Sequence, residues 1–164
     1  VKAFTAIDFE TANRDRHSAC AIGVVRVEND CITQKRHFLI RPVSQQFEFT
    51  DIHGLCWHDV VDAPCFGELW PLLEPLLNGV EVIAAHNAAF DQGVLYACCD
   101  FYGIARPTHR FLCTVKLARK TWNLYPTKLP NVCDYLGIPL KHHQALSDAE
   151  ACAQIVIAAH APNL

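Results

Sequence analysis

The chain contains no Cys-x-x-Cys pair, although it holds nine cysteines. That absence removes the usual spacing of a zinc ribbon or a redox dithiol. The count is odd and Cys98 adjoins Cys99, which does not fit a closed disulfide framework. Cys20, Cys98 and Cys152 fall in apolar stretches, so the cysteines read as reduced core residues of a cytoplasmic protein. Cys56-Trp57-His58, and His109 with Cys113, come nearest to a zinc set, and neither has ligand spacing. No apolar run reaches the roughly 20 residues of a membrane span, so no membrane contact is expected. Val1-Lys2-Ala3-Phe4 is not a basic segment leading into a long apolar one, and no signal peptide is expected. There is no internal repeat, low-complexity tract or linker.

What remains is 164 residues, 51% hydrophobic and 19% charged, which fits one globular domain over residues 1–164 with a real core. The net charge of −3 is unevenly placed. Residues 101–142 carry Arg106, Arg110, Lys116, Arg119, Lys120, Lys128 and Lys141 against Asp134 alone. Such a basic flank suits a polyanionic partner.

Residues 4–9, 19–27 and 32–40 read as strands, with Asn29-Asp30 as a hairpin turn between the last two. Residues 43–56 read as a loop. From Pro64 onward Phe66, Leu69, Trp70, Leu73, Leu76 and Leu77 follow helical spacing, and Asn78-Gly79 closes that helix. Pro71 and Pro75 are expected to kink it. Residues 80–85 form a buried strand, 88–102 a helix and 110–113 a further strand. Helices follow over 114–122, 129–136 and 145–161, the last stopped by Pro162. The order predicts an α/β fold with a mixed sheet and helices on its faces.

Four carboxylates stand in apolar or small-residue settings, where a lone charge is costly to bury. Asp8 and Glu10 lie two apart on the first strand, so they share a face while Phe9 takes the other. Such a pair can share a hard cation such as Mg²⁺. Asp91 lies in the first turn of a helix whose dipole favours its charge, with Asn87 as the expected N-cap. Asp148 opens the last helix, five residues after His143. A histidine there can deprotonate water while the aspartate holds metal. His142 is a second imidazole within reach. Together the acids point to a two-metal site that hydrolyses phosphodiesters.

The ordered pattern is more specific than its parts. Asp-x-Glu on the first strand, His86-Asn87-x-x-Phe90-Asp91 at a strand–helix junction and His143-x-Ala145-Leu146-x-Asp148 opening the last helix resemble the DEDD 3′–5′ exonucleases. More narrowly they resemble the DEDDh (DnaQ-like) group, which includes a polymerase proofreading subunit, RNase T and oligoribonuclease. Ile52-His53-Gly54-Leu55 and Asp62-Ala63-Pro64-x-Phe66 resemble the segment between that family's first two motifs. The sister group carries tyrosine four residues before the last aspartate, where this chain has Gln144.

The resemblance implies an RNase H-like mixed five-stranded sheet flanked by helices. It implies two divalent metal ions, Mg²⁺ or Mn²⁺, held by Asp8, Glu10, Asp91 and Asp148, with His143 as the general base. The family spacing selects His143 over His142, so loss of His142 is expected to cost little. It also implies a nucleic-acid partner with a free 3′ end, single-stranded DNA favoured, releasing nucleoside 5′-monophosphates. Thr11, His53 and Asn87 are the expected substrate contacts, with His53 or Trp57 supplying stacking. Many relatives have Thr-Thr-Gly after the first motif; here it is Thr11-Ala12-Asn13, which alters the contacts to the terminal nucleotide. A proofreading subunit and a non-catalytic nucleic-acid-binding module are the alternatives. Retention of all five chemical groups speaks against the second. The proofreading subunit uses an added tail, and an end at Leu164 leads us to expect a nuclease that works alone or is recruited differently.

Overall fold

The computed structural model describes residues 1–161. Strand β1 (Ala3–Thr11) is the centre of a five-stranded sheet, order β3-β2-β1-β4-β5. β2 (Ala19–Glu28) and β3 (Cys31–Leu39) continue it antiparallel on one side. Asn29 and Asp30 between them both take positive φ, 51° and 59°, as a tight hairpin with the strands' own twist requires. β4 (Val82–Ala85) and β5 (Arg110–Cys113) extend the sheet in parallel on the other side.

Alternation along β1 sorts the core. Ile7 and Phe9 face helices α3 (Phe66–Leu77) and α4 (Ala88–Phe101) in one apolar cluster. Phe4 and Ala6 face helix α7 (Ala145–His160) in another. Helices α5 (Thr114–Trp122) and α6 (Leu129–Leu136) pack beside α7 around Ala118, Val132 and Ile155.

The segment 43–56, expected as a loop, contains one helical turn, α1 (Thr50–His53), and a second, α2 (Trp57–Val60), follows it. Gly54 at φ 79° ends the first, a left-handed position that glycine takes without strain. Helix α3 includes both Pro71 and Pro75, which stand on its exposed side. Pro162, the expected stop of α7, lies outside the described residues. All nine cysteines are free thiols; Cys20, Cys98 and Cys152 are buried, as their apolar settings implied, and so are Cys99 and Cys133, whereas Cys31 is exposed and Cys56, Cys65 and Cys113 are half-buried, so the core reading does not extend to those four. Among the described residues, neither Cys56 with His58 nor His109 with Cys113 joins a metal-capable cluster.

Candidate active site

The site lies where the end of β1 meets the start of α7. Asp8 pairs with Gly23 across the β1–β2 ladder. A Cβ on Gly23 would stand 2.2 Å from the Ala145 carbonyl oxygen, so only glycine lets α7 lie this close to β2. The small Ala145 and Ala149 are buried on the same side. This close approach brings Asp148, in the first turn of α7, to the carboxylates of β1.

One oxygen each from Asp8, Glu10 and Asp148 lie within 4.8 Å of one another. Asp8 Oδ2 is buried and has no hydrogen-bond partner. Burial raises Asp8 well above the usual carboxylate range, and the charges of Asp91, Glu10 and Asp148 push it further. Burial, then Asp148 and Asp91, lifts Glu10 to about 8. An orphaned buried oxygen among mutually repelling carboxylates, all hard oxygen donors, fits a site for divalent cations such as Mg²⁺ or Mn²⁺.

Asp91 is placed differently. It is 1% exposed in the first turn of α4, and its Oδ1 accepts a hydrogen bond of 2.8 Å from the Phe9 backbone N–H. Burial lifts it to about 7 although that bond opposes the rise. It adjoins the acids without joining the tight donor set, and only its other oxygen is free of this tether. Asn87 does precede α4, but it is left-handed at φ 61° and makes no side-chain cap bond, unlike the N-cap expected of it. Its neighbour His86 braces the junction instead, bonding Thr114 Oγ1 at 2.8 Å and the Thr127 carbonyl at 3.0 Å.

His143 precedes α7 in a left-handed conformation, φ 67°, and its backbone N–H donates to Asp148 Oδ2 at 3.0 Å. Burial, and next the charge of His142, lower its imidazole pKa, which keeps it neutral further into mild acid. His142 is more than a bystander. Its Nδ1 stands 3.2 Å from Asp148 Oδ2, and its ring stacks on that of His143 at 3.7 Å between centroids. The expectation that its loss costs little therefore changes: it holds the same carboxylate oxygen that the His143 backbone holds.

Beside Glu10 and His143 opens a groove of about 780 Å³ whose wall includes Lys141, His37 and His53. A second, smaller slot of about 240 Å³ is lined by Glu10, Thr11, Phe49, Ile52 and Phe90. Ile52 is 52% exposed and Phe90 39%, which leaves apolar surface at the slot open to a ligand. His53 borders both spaces. Its Nδ1 accepts from the Leu55 N–H, so Nε2 carries the proton and donates to the Thr11 carbonyl at 2.9 Å. Trp57, the other expected stacking group, packs against Ala12, Cys20 and Val60 and does not line the slot. Phe90 does, and its place one residue before Asp91 was the signal available in the sequence. Asn13 is buried and bonds the Gln46 carbonyl, and its φ is not positive, so it does not reproduce a glycine's freedom.

An Exonuclease family profile of the RNase T type matches residues 5–156, a span containing every acid above and His143. This chain belongs to that exonuclease family. The exonuclease domain is 28% identical over 158 residues to the PolC-type DNA polymerase III of Thermotoga maritima, covering 94% of this chain and 12% of that one. It is 33% identical over 125 residues to exodeoxyribonuclease 10 of Escherichia coli K12, covering 71% of this chain and 49% of that one. It thus spans at most about half the length of these relatives. Its fold matches Exonuclease X in complex with 5′-overhanging duplex DNA, with a TM-score of 0.77 at 24% identity, covering 95% and 90% of the two chains. It also matches the nuclease domain of 3′hExo, a DEDDh family member bound to rAMP, with a TM-score of 0.78 at 19% identity, covering 96% and 90%. The resemblance to DEDDh exonucleases and the RNase H-like fold are both borne out.

Proposed function

We propose that this exonuclease domain is a metal-dependent 3′–5′ exonuclease that removes nucleoside 5′-monophosphates from nucleic-acid 3′ ends, with single-stranded DNA favoured. The observation that carries this is the convergence of Asp8, Glu10 and Asp148 around a partnerless buried oxygen, with His143 tethered to Asp148. Asp8, Glu10, Asp91 and Asp148 would hold two divalent cations, Mg²⁺ or Mn²⁺, which when bound stabilise charge on the entering and leaving oxygens.

The chain's own groups do the rest. A ring nitrogen of His143 takes a proton from the attacking water as its oxygen bonds to phosphorus. The P–O3′ bond breaks and the departing O3′ takes a proton from solvent water, leaving a 3′-hydroxyl on the shortened strand and a 5′-monophosphate on the released nucleotide; His143 returns its proton to solvent. Thr11, Ile52 and Phe90 line the slot that takes the terminal base, and His53 fixes the backbone of Thr11 through its carbonyl. A splayed, single-stranded end enters such a slot without prior unpairing.

EDTA is expected to abolish hydrolysis of 5′-labelled single-stranded DNA, and Mg²⁺ or Mn²⁺ to restore it. Full activity in excess chelator would remove the basis for the metal site. Linear strands should give a ladder shortening from the 3′ side, while closed single-stranded circles survive. Rapid cutting of circles would indicate an endonuclease instead.

Similarity to PolC-type polymerases over 94% of this chain favours a second reading, that of a proofreading domain within a larger polymerase. A primer–template with a mismatched 3′ terminus, degraded much faster than a matched one, would favour it. Equal rates would not.

A further inference from the structure

We propose that Tyr125 is a stacking site for a base of the strand running back from the catalytic slot, and that the cations around it hold that strand's phosphates; this rests on the exonuclease reading above. Tyr125 sits in the connection between α5 and α6 and is 65% exposed. The Arg119 guanidinium lies 5.1 Å from its ring centroid, covering one face. Arg119 Nε in turn donates to Thr127 Oγ1 at 3.0 Å, and that hydroxyl donates to the Leu124 carbonyl at 2.7 Å. The ring is thus backed on one side and open to solvent on the other, the arrangement of a stacking platform.

The loop is anchored to the active end of the sheet. His86, which bonds the Thr127 carbonyl, directly follows β4 and is one residue from Asn87, where α4 and its Asp91 begin. The segment that carries Tyr125 is basic. Residues 114–130 contain Lys116, Arg119, Lys120 and Lys128 and neither aspartate nor glutamate. All four are exposed, and none forms an ion pair among the described residues. An exposed aromatic ring held by a cation, amid cations without acid partners, matches a single-stranded polyanion with stacked bases.

The test compares a 5′-fluorescent oligothymidylate with the p-nitrophenyl ester of thymidine 5′-monophosphate, which has no upstream base. Tyr125→Ala should raise KM for the oligomer by about 5- to 150-fold, the range for loss of one base stack. Its kcat on the oligomer and its hydrolysis of the ester should stay at wild-type values, and Tyr125→Trp should restore KM. An unchanged oligomer KM in Tyr125→Ala overturns the inference, as does an equal loss on ester and oligomer. If wild type cuts neither substrate, the exonuclease reading fails separately. Anisotropy of the labelled oligomer then still decides on Tyr125, since equal Kd for wild type and Tyr125→Ala would overturn its role.

Discussion

Asp8→Asn is expected to give a folded protein that hydrolyses no measurable substrate and that is more heat-stable than wild type when divalent metal is withheld. Asp8 Oδ2 is buried without a partner, and its charge faces those of Glu10, Asp91 and Asp148. The amide keeps the shape and removes the charge, so the cluster relaxes but loses an anionic ligand. The pH dependence has a definite sign. Asp8 is raised well above the ordinary carboxylate value, Glu10 to about 8 and Asp91 to about 7. A carboxyl whose folded pKa exceeds its unfolded one stabilises the fold at low pH, and that contribution is lost as pH rises through the folded value. Metal-free wild type should therefore lose stability between about pH 4 and about pH 8, and Asp8→Asn should lose less. A cation at a hundredfold excess over its Kd should return about 2.7 kcal/mol to wild type, several degrees in Tm for a domain of this size. Melting curves at both ends of that range, in EDTA and in Mn²⁺, check this. Wild-type cleavage by Asp8→Asn, or no gain in Tm from Mn²⁺ in wild type, would refute the assignment of a metal site.

The parts of this site that were legible in the sequence are those set by local periodicity. Strand alternation placed Asp8 and Glu10 on one face and Phe9 on the other, and the structure sends Phe9 into the α3–α4 core. Helix starts placed Asp91 and Asp148 in first turns. What escaped depends on contacts between distant segments. Gly23 looks like any strand residue until the register sets it opposite Asp8 and beneath Ala145. Asn87 has the identity of an N-cap, yet its left-handed backbone takes the side chain away from that task. Trp57 was an equal candidate for stacking until the fold turned it onto Ala12 and Val60, while Phe90 stayed at the slot. Residues 43–56 carried no clear period, because one helical turn is too short to show one.

His143→Ala is expected to lower the single-turnover rate by about 10²–10⁴-fold, the usual cost of a general base, while Mn²⁺ affinity changes little. Asp148→Ala should lose both, because it removes a carboxylate whose oxygens belong to the donor set. His142→Ala separates two ways in which a neighbouring imidazole can act. Adjacent to the base in sequence, His142 could have been indifferent; in the fold its Nδ1 stands 3.2 Å from Asp148 Oδ2 and its ring lies against His143. Removing that hydrogen bond to a carboxylate should cost about 1.5–3 kcal/mol where the bond matters most, or roughly 10- to 150-fold in rate, short of the full effect at His143. His142→Asn, whose amide nitrogen stands near the position of Nδ1, should recover most of that loss, because the donor to Asp148 returns although the ring does not. If His142→Asn is as impaired as His142→Ala, stacking on His143 outweighs the bond to Asp148. If His142→Ala is inactive while His143→Ala keeps near wild-type rates, the base is His142 and the proton leaves by the other ring. Should His143→Ala lose Mn²⁺ as severely as Asp148→Ala, the imidazole is a ligand, and a different group must take the proton from water.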